Sequence, residues 1–84
     1  MMRVRVRYFA ALREALGAAE EVEVPDGATL GALRSQLIAA SPRHGELLAR
    51  HRAVRCALNQ VMADEAALLE SGAEVAFFPP VTGG

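Results

Sequence analysis

The sequence predicts an α+β domain in which a mixed β-sheet wraps one main helix. Three observations carry this reading. Met2-Arg-Val-Arg-Val-Arg-Tyr8 alternates apolar and basic residues, and Glu21-Val-Glu-Val24 alternates acidic and apolar ones. Leu30, Leu33 and Leu37, with Ala40 as a further member, recur at helical spacing. A period of two marks a half-buried strand, and a period between three and four marks an amphipathic helix. The chain has 84 residues, 52% of them hydrophobic. That is enough for one small core and too little for two domains.

The first strand places Met2, Val4, Val6 and Tyr8 on one face and Arg3, Arg5 and Arg7 on the other. If it pairs antiparallel with Glu21–Val24, the Arg row faces a Glu row, each pair adding roughly 0.2–1 kcal/mol. The Arg run is therefore a solvated, salt-bridged strand face and not a binding patch. Ala10–Leu16 reads as a short helical connector ended by Gly17. Pro25-Asp26-Gly27 is a turn. Thr29 caps the main helix, and Ser41-Pro42 fits the cap and first turn of a second helix that carries Leu47 and Leu48 inward. Val54, Cys56 and Leu58 alternate with Ala53, Arg55 and Ala57 in a third strand. Asn59-Gln60 turns into a brief strand around Val61-Met62. Leu68 and Leu69 lie in a connector closed by Gly72, and Glu74–Phe78 is the last strand. A hairpin, one main helix and a final strand returning beside the first describe a β-grasp, the ubiquitin-like architecture. The expected organisation is a β-grasp domain over 1–78 and an extended, flexible C-terminal tail over 79–84.

Composition excludes several classes of function. A net charge of −1 leaves no electrostatic footprint for nucleic acid or anionic lipid. One cysteine cannot build a disulfide framework, a Cys-rich zinc site or an iron–sulfur cluster. Met1-Met2 is followed by Arg3, Arg5 and Arg7 with no apolar run, so neither a secretory signal nor a membrane span is expected, and the cytoplasm is the expected location. A core of this size rarely encloses a deep pocket as well, which favours a carrier, adaptor or subunit over a stand-alone enzyme.

The chemistry concentrates at the end of the chain. Val75 and Phe77 share one face of the last strand, so Phe78 points to the other, directly before Pro79-Pro80. Two prolines end the strand and keep the chain extended. Val81-Thr82-Gly83-Gly84 follows, a stem of at most about 14 Å. Chance would place two glycines there in roughly 0.5% of chains at average usage. A main-chain carboxylate on Gly84, cleared of side chains at Gly83, can thread a narrow channel to a nucleotide where a Cβ would clash. Adenylation makes it electrophilic, and sulfur replacing AMP leaves a thiocarboxylate that is ionised and nucleophilic near neutral pH.

Glu74-Val-Ala-Phe-Phe-Pro-Pro-Val-Thr-Gly-Gly84 resembles the C-terminal signature of the small, sulfur-carrier subunit of molybdopterin synthase. Phe9-Ala-Ala-Leu-Arg-Glu14 and Ala57-Leu-Asn-Gln60 extend the resemblance over essentially the whole chain. It implies that an ATP-dependent, E1-like enzyme adenylates Gly84 and that a sulfur donor protein supplies the thiocarboxylate. The tail residues Pro79, Pro80, Val81, Thr82 and Gly83 then enter the large, catalytic subunit, and sulfur passes to cyclic pyranopterin monophosphate. The family's complex is a heterotetramer, and the dithiolene takes sulfur from two charged carriers. The carrier itself is non-catalytic and binds no cofactor or metal; ATP belongs to the activating enzyme. The same resemblance puts Phe9, Met62 and Phe78 in an apolar docking patch, with Arg13 as an ion-pairing neighbour. The strand phase agrees for Phe78 and is compatible with Phe9, which falls out of step with Val4, Val6 and Tyr8. Met62 fits core or patch equally.

Two other functions fit a glycine-ended carrier: sulfur delivery for thiamine, cysteine or thiolated tRNA, and a protein modifier joined to lysines through Gly84. Cys56, between Val54 and Leu58, reads as a buried, inert thiol rather than a persulfide carrier. His44 and His51 read as surface histidines on the short helix. Glu20-Glu21 and Asp64-Glu65 read as solvated acids.

Overall fold

The computed structural model describes residues 1–79. Its elements are β1 (Met2–Tyr8), α1 (Ala10–Leu16), β2 (Ala19–Val24), α2 (Leu30–Ala40), α3 (Pro42–Leu48), β3 (Arg55–Leu58), β4 (Val61–Ala63) and β5 (Glu74–Phe78). The strands form one sheet in the order β2-β1-β5-β3-β4. β1 and β2 pair antiparallel, with Arg3 opposite Glu23 and Arg5 opposite Glu21. β5 returns parallel to β1, with Tyr8 opposite Phe77, and pairs antiparallel with β3. This is the β-grasp expected from the pattern.

Burial follows the predicted phases. Val4, Val6 and Tyr8 of β1, Val75 and Phe77 of β5, and Leu30, Leu33 and Leu37 of α2 meet in one core. Ala40 does not join them; it is exposed at the end of α2. Thr29 caps α2 through its hydroxyl, which accepts from the Ala32 amide at 3.1 Å. Leu30 and Gly31 donate their amides to the carbonyls of Ala67 and Glu65 at 2.8 and 2.9 Å, so the first turn of the helix leaves no orphan donors there. A Cβ on Gly31 would stand 2.9 Å from the Glu65 carboxylate. Glycine is what lets α2 lie against this segment.

Ser41 ends α2 and caps α3, its hydroxyl accepting from the His44 amide at 3.1 Å. Leu48 is fully buried and Leu47 half-buried. β3 is shorter than the alternation from Ala53 suggests, because the Val54 amide donates to the Arg52 carbonyl at 2.8 Å and turns the chain there. Asn59 and Gln60 take φ of 49° and 70°, the left-handed pair of a two-residue hairpin between β3 and β4. Asn59 suits it doubly, since its side-chain oxygen accepts from the Glu74 amide at 2.9 Å.

Candidate functional site

The outer face of the sheet carries the candidate site. Register places Arg7, Ala76, Ala57 and Met62 in one row across β1, β5, β3 and β4. Ala57 and Ala76 are buried, yet neither belongs to the core under the helices. Their small side chains lie beneath larger neighbours on the outer face. Met62 ends this row on the outermost strand β4 with 57% of its surface exposed, so it belongs to the face and not to the core. One step further along β5, Phe78 is half-buried opposite Arg55 of β3.

Phe9 completes the patch. Its amide continues the parallel ladder by donating to the Phe77 carbonyl at 3.2 Å. The pleat then turns its ring to the side opposite Tyr8. There it stacks on Phe78, with ring centroids 4.9 Å apart and planes 16° from parallel. Ala10 leaves the strand at φ 52°, a left-handed turn that starts α1 immediately after this ring. The Arg7 guanidinium lies 5.2 Å from the Phe9 centroid, within reach of a cation–π contact. Arg13 is exposed on α1, with its amide donating to the Phe9 carbonyl at 3.3 Å.

Phe9, Phe78 and Met62 therefore share one face, and Arg13 sits on the helix that Phe9 introduces. Pro79 borders an open groove of about 470 Å³ with Leu12 of α1, Leu47 of α3 and Val54. Pro80, Val81, Thr82, Gly83 and Gly84 lie outside the described residues.

The structure corrects the readings of four residues, Glu20, His44, His51 and Glu65. Glu20 is not simply solvated: its Oε2 accepts from the Tyr8 hydroxyl at 2.7 Å and lies 2.9 Å from His44 Nε2. His44 is not a surface histidine, since Nδ1 meets the Ser41 hydroxyl at 2.7 Å and the ring packs edge-on to Tyr8. His51 lies beyond α3, in the connection to β3. Burial first, then the Glu20 carboxylate, push the Tyr8 phenol far above its ordinary range. Glu65 binds two arginines, Arg34 at 3.2 Å and Arg50 at 2.8 Å.

Arg34 is a charged residue that is only 4% exposed. Its Nε donates to the Leu48 carbonyl at 2.7 Å and its Nη2 to the Ala49 carbonyl at 2.9 Å. The available signal was its place in the Leu30, Leu33, Leu37 stripe, where an arginine at the fourth inward position must find acceptors. Cys56 is buried as expected, and burial pushes its thiol up; nearby Arg34 opposes this and Glu65 adds to it. Among the described residues no group of three His, Cys, Asp or Glu side chains could hold a metal ion. None of their helices is long and apolar enough to cross a membrane.

The ThiS family model matches residues 6–84. The chain belongs to the ThiS family. Within it, the chain is 43% identical to the molybdopterin synthase sulfur carrier subunit of Mycobacterium tuberculosis, with both chains covered completely. Among solved structures it resembles small archaeal modifier protein 1 of Haloferax volcanii, with a TM-score of 0.82 and 25% identity, over 96% of this chain and 100% of that one. It also resembles a chain of the complex of subunits 1 and 2 of molybdopterin-converting factor from Helicobacter pylori. There the TM-score is 0.72 and the identity 26%, over 99% of this chain and 100% of the other.

Proposed function

We propose that this chain is the sulfur carrier subunit of molybdopterin synthase. The observation that carries the proposal is the full-length match to the Mycobacterium tuberculosis sulfur carrier subunit. The geometry supports it: a stacked aromatic pair outside the core stands at the root of the glycine-ended segment. Such a pair, with Met62 on the same sheet face two strands from Phe78, suits docking on a large partner, as apolar anchors at interfaces do.

In this reading the domain delivers and the partners catalyse. The Gly84 carboxylate attacks the α-phosphorus of ATP on an E1-like enzyme, and pyrophosphate leaves. Sulfur delivered at the sulfide level by a donor protein then attacks the acyl carbon, AMP leaves, and the C-terminus becomes a thiocarboxylate. The large subunit receives the segment Pro79–Gly84, and sulfur bonds to cyclic pyranopterin monophosphate while water cleaves the acyl–sulfur bond and restores the Gly84 carboxylate. The carrier binds no cofactor of its own and acts in the cytoplasm. The Helicobacter pylori complex supports a large-subunit partner by analogy.

The test is reconstitution. Thiocarboxylated protein is mixed with the large subunit and cyclic pyranopterin monophosphate, and formation of the dithiolene is followed. Absence of product from a verified thiocarboxylate overturns the proposal. The likeness to small archaeal modifier protein 1 favours a second reading, a protein modifier linked to lysines through Gly84. Gly84-linked adducts in cell extract would support that role. Replacement of a terminal oxygen by sulfur, seen by intact mass, supports the carrier.

A further inference from the structure

β2 is an outermost strand of the sheet, at the edge away from β3 and β4. The Tyr8 amide donates to the Ala18 carbonyl at 3.0 Å, which sets the phase of the β1–β2 ladder. By the alternation of an antiparallel pair, Glu20, Val22 and Val24 direct their backbone groups at β1. Ala19, Glu21 and Glu23 direct theirs outward. Gln36 of α2 donates from Nε2 to the Glu23 carbonyl at 2.6 Å, in keeping with that phase; it covers this one outward carbonyl, so a strand added here displaces the Gln36 amide. Beside this edge lies a groove of about 700 Å³ between β2 and α2. Val22, Leu37 and Ala40 supply the apolar part of its lining, and Glu20, Gln36, Arg3 and the two acids Glu21 and Glu23 make the rest polar.

We infer that this edge and groove are a strand-addition site for an extended partner segment that alternates apolar and basic residues. A strand added here continues the pleat. Its alternate side chains enter the groove over Val22, Leu37 and Ala40. The others emerge on the outer face beside Glu21 and Glu23. Those two acids already face Arg5 and Arg3 across β1, but the Arg3–Glu21 contact is 3.9 Å long and both side chains are more than half exposed. Water screens such a pair, and the acid row can meet a second basic row on its open side.

Charge also decides the occupant. A second copy paired through β2 would set glutamates against glutamates, and like charges directly opposite are destabilising. No proline interrupts residues 19–24, so the outward amides remain available for pairing. The edge therefore resists self-pairing and accepts a basic strand. This site uses the β2 edge and none of the Phe9, Phe78 or Met62 side chains, so its failure leaves the sulfur-carrier reading intact.

The test uses the full chain, isotopically labelled, and a short synthetic peptide alternating valine and arginine. Expected are saturable shifts of the Ala19, Glu21 and Glu23 amides and of the Gln36 side-chain amide, with slowed exchange at the three outward amides. Changing Glu21→Lys and Glu23→Lys together should weaken binding by about tenfold or more. Glu21→Pro removes one outward donor without touching the β1 ladder, where an edge proline is tolerated, and should also weaken it. Circular dichroism checks that both variants fold. Shifts confined to the Phe9–Phe78 face, no shifts, equal binding of a valine–glutamate peptide, or full affinity in both folded variants would overturn the proposal. Concentration-dependent dimerisation through the same amides would overturn the choice of occupant.

Discussion

Tyr8 shows how one side chain serves both the core and a polar contact. Its ring stacks on Phe77 in the interior, and its hydroxyl reaches the Glu20 carboxylate beside His44. Because the native environment raises the phenol above its ordinary value of about 10, ionisation is easier in the unfolded chain. Above pH about 10 the unfolded state holds fewer protons than the native one, so stability falls as pH rises; below that value the contribution is complete. Tyr8 is the sole tyrosine, so phenolate absorbance reports it alone. It should appear together with alkaline unfolding, and Tyr8→Phe should flatten this part of the stability profile. Cys56, buried with a raised thiol, should resist alkylation in the native protein and react promptly in urea, as a timed thiol assay would show. Phe78 is only half-buried. Phe78→Ala should weaken binding to the large subunit by roughly 2 kcal/mol. The circular dichroism spectrum should keep its native form, and titration calorimetry measures the affinity.

Among the elements, α2 combines the most readable pattern with the least readable residue. Its leucine stripe, threonine cap and boundaries follow from spacing and from the chemistry of orphan amides. Arg34 interrupts the stripe, and its guanidinium joins α2 to the carbonyls ending α3 and to Glu65. Removing it leaves buried carbonyls without donors. Arg34→Ala should cost about 3 kcal/mol in denaturant unfolding. Arg34→Lys should recover only part, because an ammonium cannot span the same acceptors. Spacing along α2 could not disclose this role, since the acceptors come from the turn after α3 and from the segment before β5. The aromatic pair divides in the same way. The strand period put Phe78 outside the core, and register with β1 then brought Phe9 against it.

For the whole molecule, the parallel return of β5 beside β1 is the decisive feature. It sets Phe78 next to Phe9, so the glycine-ended segment follows directly on the stacked pair, the face that the proposed function assigns to docking. Under the proposed function, deleting Gly84 should abolish dithiolene formation in the reconstituted reaction while the thermal midpoint stays unchanged. Loss of thermal stability on that deletion would count against a domain that folds independently of its tail.

The sequence by itself determined the strand phases, the caps, the turns and the chemistry expected of Gly84, because each depends on residues close along the chain. Only the tertiary structure decided that Met62 lies on the outer face, that Glu20 and His44 close on Tyr8, that Arg34 is buried, and that β2 leaves an open acidic edge. These depend on which strands become neighbours. Local periodicity says which way a side chain points, and the pairing of distant strands says what it meets there.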